Sequence, residues 1–61
     1  MIYVEYVYLK KDNTPIKCEN GFHTVNKAVR FIRKITFKPN YAYCGFRCDD
    51  SEETEEMNRK L

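Results

Sequence analysis

The chain has 61 residues, 43% of them hydrophobic, and a formal net charge of +2. That length excludes a second domain and leaves a thin core, since a chain this short buries only ~60% of the surface its unfolded form exposes. The charge is uneven: residues 1–48 carry nine Lys and Arg against three acids, while residues 49–61 carry six acids against Arg59 and Lys60.

The opening "IYVEYVYL", residues 2–9, is dense in β-branched and aromatic side chains, which predicts a strand. Both of its alternating faces are largely apolar, so it is expected to lie centrally with a neighbour on each side. "KKDNTP", residues 10–15, is turn chemistry. "PIKCE" follows as a short return strand, with Pro15 suited to an edge because it cannot donate to a ladder. "ENG" is expected to end that strand.

Thr24 is a candidate N-cap, with no Glu or Gln three residues later to complete a capping box. From Val25 the apolar residues recur at amphipathic helix spacing. Val25, Ala28, Val29, Phe31, Ile32 and Ile35 share one arc, and Asn26, Lys27, Arg30, Arg33 and Lys34 fill the opposite side. Pro39 lies just past the expected end. "YAYCGFRC", residues 41–48, alternates as a strand, with Ala42, Cys44, Phe46 and Cys48 expected on one face and Tyr41, Tyr43 and Arg47 on the other.

Residues 49–61 read as a short terminal helix or a frayed acidic tail, with Ser51 or Asp50 as the cap and Met57 and Leu61 as its only apolar content. The order is therefore β-β-α-β followed by an acidic segment. A right-handed crossover gives an α+β fold: a small ββαβ domain over 1–48 with a three-stranded antiparallel sheet in order 2-1-3. One amphipathic helix covers one sheet face and the other face stays open.

Three cysteines are an odd count for a disulfide framework. No N-terminal signal peptide is visible, and no apolar run approaches the ~20 residues of a membrane span. A reduced, cytoplasmic setting and no membrane contact are expected. The start at Met1 suits a whole small protein.

The cationic helix face is the first candidate site. Lys27, Arg30, Arg33 and Lys34 are like-charge neighbours three or four residues apart, and each such pair opposes the helix by a few tenths of a kcal/mol. A solvated charged face is the ordinary explanation. The sharper ones are an anionic partner, nucleic acid above all, or masking by the acidic segment. Lys10, Lys11, Lys17 and Lys38 would widen the patch.

The second candidate is the open sheet face with Tyr41, Tyr43 and Arg47, and Tyr3 beside them. Aromatics and Arg there can stack bases or anchor a protein interface, a second copy included; ordinary cross-strand packing competes. The third is the acidic set Glu52, Glu53, Glu55 and Glu56, either a solvated tail or a mimic of nucleic-acid charge that fits a basic groove.

Cys18, His23, Cys44 and Cys48 are zinc-type ligands with unsuitable spacing. On one extended strand face, Cys44 and Cys48 stand ~13 Å apart, too far for one tetrahedral ion. They are expected to be core cysteines, with no metal and no cofactor. Cys18 and His23 are the only nucleophilic pair on offer. No oxyanion apparatus or phosphate-cradling glycine loop accompanies them, so no catalytic residue is assigned and no enzymatic activity is expected.

No motif identifies a family. In its size and its Lys-, Asn- and Tyr-rich composition the chain resembles short proteins of phages and mobile elements. Many of those inhibit host machinery, CRISPR nucleases among them, by docking on charged surfaces. The resemblance implies a non-enzymatic inhibitor or modulator that docks on a host nucleic-acid-handling protein. Direct RNA or DNA binding through the basic helix, or a homodimeric interaction module, are the alternatives.

Overall fold

The computed structural model describes residues 1–61. Strand β1 spans Ile2–Leu9, β2 Pro15–Phe22 and β3 Tyr41–Cys48; helix α1 spans Val25–Thr36 and α2 Ser51–Lys60. The sheet is antiparallel throughout, in order β2-β1-β3, so the apolar opening strand is the central one. None of the helices is long and apolar enough to cross a membrane.

The β1–β2 turn closes on Asn13, whose φ of 67° is tolerated by Asn. Its N–H donates to Lys10 O at 2.9 Å, and the Thr14 N–H donates to Asp12 Oδ1 at 3.0 Å. Strand β2 runs three residues beyond the expected "PIKCE" segment. Asn20, Gly21 and Phe22 pair with Val4, Tyr3 and Ile2, so "ENG" does not end it. The Tyr3 ring lies over Gly21 and the Phe22 ring packs on Phe31, with centroids 5.1 Å apart. Neighbouring aromatics thus supply the cover that a Gly-containing strand lacks of its own.

Thr24 caps α1, its Oγ1 accepting from Lys27 N–H at 3.2 Å. The helix lays Val25, Ala28, Val29, Ile32 and Ile35 against the sheet, all buried. Tyr6 meets Phe31 edge-on at 5.3 Å. Burial, then the neighbouring Cys18 and Tyr41, push the Tyr6 hydroxyl above its ordinary value of 10.0.

Strand β3 carries a bulge. Glu5 pairs with Gly45 and Tyr6 with Tyr43, which leaves Cys44 as an extra residue. The bulge shifts the alternation by one. Tyr41 and Tyr43 pair with Tyr8 and Tyr6, and Phe46 and Cys48 pair with Val4 and Ile2, so all four belong to the helix-covered face. The expected face of Ala42, Cys44, Phe46 and Cys48 is therefore corrected.

Within residues 49–61, α2 is a docked helix. Asp50 is its cap, accepting from Glu52 N–H at 2.8 Å. Met57 is 0% exposed and belongs to the same core cluster as Ile2, Val4 and the α1 stripe. In a core this thin, one more fully buried side chain is a large share of the total.

Candidate polyanion interface

Lys27, Arg30, Arg33 and Lys34 all stand exposed on α1, opposite its buried stripe. None of them makes an ion pair: the chain's salt bridges are Met1 to Asp49 and Glu53, Arg47 to Glu19, and Lys60 to Glu56. Arg33 and Lys34 occupy the last turn, where the helix dipole favours cations. Lys27 sits in the first turn, where the dipole opposes it. Helix stability therefore accounts for half of the set and works against part of the rest.

The acidic segment does not mask this face. Helix α2 brings its cationic end to α1 instead: Lys60 Nζ donates to Asn26 Oδ1. Asn26, Arg30, Arg33 and Lys60, floored by Val29, line a solvent-open groove of about 410 Å³. Sequence reasoning missed Lys60. Its only trace there was the charge order within residues 50–60, acids first and cations last, which is the order a helix dipole prefers.

The flanking lysines divide. Lys10, Lys11 and Lys38 lie at the sheet end where α1 finishes, tied together by Leu9 N–H donating to Asn40 O at 2.8 Å. Lys38 Nζ stands 5.4 Å from the Tyr41 ring centroid. Lys17 pairs with Val7 on the open sheet face, away from α1, and does not extend the patch.

The expected trio of Tyr41, Tyr43 and Arg47 is split by the bulge. Tyr41 packs on Tyr8 and Tyr6 at 5.2 and 5.9 Å on the helix side. Tyr43 is on that side too, 37% exposed, with its hydroxyl pushed up by burial. Arg47 lies on the open face, 4.5 Å above the Tyr3 ring and 3.5 Å from Glu19. The open face thus offers Tyr3 and Arg47, with Glu5, Lys17, Glu19 and Cys44 around a mixed-charge depression.

The acidic quartet is also divided. Glu53 faces the Met1 ammonium at 3.6 Å and Glu56 bridges to Lys60 at 3.4 Å. Only Glu52 and Glu55 are exposed and unpaired. Cys44 is exposed in the bulge rather than in the core, and Cys18 and Cys48 are half-buried. No three His, Cys, Asp or Glu side chains stand close enough together to hold a metal ion. No protein-family model, no curated protein and no solved structure matches the chain.

Proposed function

We propose that the protein is a small non-enzymatic binding protein of nucleic-acid-handling systems, and that the α1 face is its contact with nucleic-acid phosphate. One observation carries this reading. Arg30, Arg33 and Lys60 converge on an open groove beside Lys27 and Lys34, and Lys60 alone among them has a carboxylate partner. Such a surface collects phosphates, and each contact adds salt-dependent affinity. The three unpaired thiols fit a reduced, cytoplasmic setting. The test is fluorescence anisotropy with labelled single- and double-stranded oligonucleotides at ~50 mM salt and above. Binding that falls steeply with salt and is lost in Arg30→Glu/Arg33→Glu supports the reading. No shift at low salt ends it.

A second reading, docking on a nucleic-acid-handling protein as an inhibitor of the phage type, is favoured by Phe37. This ring is 87% exposed at the end of α1, beside Lys34 and Lys38. An exposed aromatic flanked by cations is an anchor for a protein surface. A stoichiometric protein complex that Phe37→Ser weakens, with no oligonucleotide binding, would select this reading.

A further inference from the structure

The sheet has two edges, and they differ. The β3 edge is interrupted by the Cys44 bulge, a device that hinders strand addition. The β2 edge pairs with β1 in unbroken register from Pro15 to Phe22. Its outward hydrogen-bonding groups follow from the ladder. Leu9 N–H points to β3, donating to Asn40 O, while Lys10 N–H points to the β2 side, donating to Thr14 O at 3.0 Å. Backbone direction alternates along a strand, so the even residues of β1 bond to β2 and the odd ones face β3. Through their partners, Ile16, Cys18, Asn20 and Phe22 of β2 are therefore satisfied by β1. Lys17, Glu19 and Gly21 turn both N–H and C=O outward, and Pro15 its C=O.

We infer that this edge pairs with the same edge of a second copy, antiparallel about a two-fold axis at Cys18, joining two sheets into one. The register follows from charge together with the number of outward groups that find partners. Axes at Ile16 or Asn20 avoid like charges but leave more of the edge unpaired. Outward groups can meet only odd residue to odd residue. An axis at Lys17 sets Lys17 against Lys17, and an axis at Glu19 sets Glu19 against Glu19; like charges directly opposite are unfavourable. The axis at Cys18 sets Lys17 against Glu19 of the second copy, and Glu19 against its Lys17. These side chains lie on the open, solvated face, where both are exposed. Each of these pairs exchanges two backbone hydrogen bonds, and Gly21 N–H reaches the Pro15 carbonyl across the axis, so the missing donor of Pro15 breaks nothing else. The Arg47 contact to Glu19, at 3.5 Å from Oε2, leaves that carboxylate further acceptor capacity. The two Cys18 residues face each other as a non-hydrogen-bonded pair, with Cα atoms ~4.5 Å apart, within disulfide range. This inference does not rest on the α1 surface.

Sedimentation under reducing conditions, up to ~0.5 mM because the edge is a small interface, tests it. A mass rising to that of two chains is expected. Glu19→Lys should raise the dissociation constant at least ~10-fold, and the swap Lys17→Glu/Glu19→Lys should restore the dimer. Diamide, an azo oxidant, should then join the copies, taking two electrons and two protons from the two Cys18 thiols as the S–S bond forms. That link should vanish in Cys18→Ser and persist in Cys44→Ser. A monomer throughout the range, a dimer indifferent to Glu19→Lys, or a link that depends on Cys44 and not on Cys18 would each overturn the pairing.

Discussion

The side chain of Lys60 donates a hydrogen bond to Asn26, joining the last turn of α2 to the first turn of α1. An acid-rich segment therefore meets a cation-rich helix through its one basic end. Helix geometry explains this. The acids Glu52 and Glu53 gather at the start of α2, where the dipole welcomes them, and Arg59 and Lys60 at its finish. The buried Met57, one turn before Lys60, seats that end of α2 on the core beside the α1 stripe. The result adds to the cationic groove instead of cancelling it.

Lys60→Glu should accordingly weaken oligonucleotide binding at ~50 mM salt and flatten its salt dependence by about one contact, a slope change of ~0.9 on duplex DNA. Glu56→Gln, which frees Lys60 from its intrahelical partner at 3.4 Å, should strengthen binding. Equal effects of the two changes, read by anisotropy titration across salt, would remove Lys60 from the interface.

Met57→Ala should cost ~2–5 kcal/mol, the range for emptying a fully buried long side chain. Leu61→Ala, on a side chain 52% exposed, should cost well under ~1 kcal/mol. Urea unfolding of both variants, followed by far-ultraviolet circular dichroism, checks this. A Met57→Ala protein as stable as the parent would mean that α2 is not held by its core contact.

Local pattern made most of this fold legible, and tertiary contact hid the rest. The β1, α1 and β3 boundaries follow from alternation or helical spacing that packing reinforces. The end of β2 was hidden because "ENG" is turn-like in isolation, and only the Tyr3 ring over Gly21 makes it a good strand. The cationic set on α1 was readable because one helix presents it. Tyr41, Tyr43 and Arg47 do not share one face, and strict alternation has no way to register the inserted residue that parts them. A trace was present: Tyr41 and Tyr43 have one parity and Phe46 and Cys48 the other, although all four suit a covered face. The docking of α2 was hard to read because Met57 is its one buried apolar side chain, and the contacts of Glu53 with Met1 and of Lys60 with Asn26 are tertiary.

The bulge makes a sharp prediction about deletions. Tyr6 pairs with Tyr43 and Glu5 with Gly45, so removing Cys44 closes β3 into a regular ladder and keeps every aromatic on its present face. Deletion of Cys44 should leave the melting temperature within a few degrees of the parent. Deletion of Ala42 sends Tyr41 to the opposite face, away from Tyr6 and Tyr8, and should cost ~2 kcal/mol or more. Thermal melts of the two deletions decide the matter. Equal damage would show that Cys44 is a paired member of the strand.

Asp12 supplies a pH test of the β1–β2 turn. Hydrogen bonding from Thr14, side chain and then backbone N–H, holds the Asp12 carboxyl below its ordinary value of 3.8. A carboxyl depressed in the folded state stabilises it at pH values above the ordinary one, and that contribution disappears as pH falls through the folded value. Asp12→Ala should therefore lower the melting temperature near neutral pH, and the gap to the parent should close on acidification to ~pH 2. Because the side chain is solvated, the gap should be small and should leave Asn13, at φ 67°, still able to form the turn. Melting curves of parent and variant at neutral and acid pH read this out. A gap that persists undiminished in acid would mean that Asp12 acts through packing rather than through its charge.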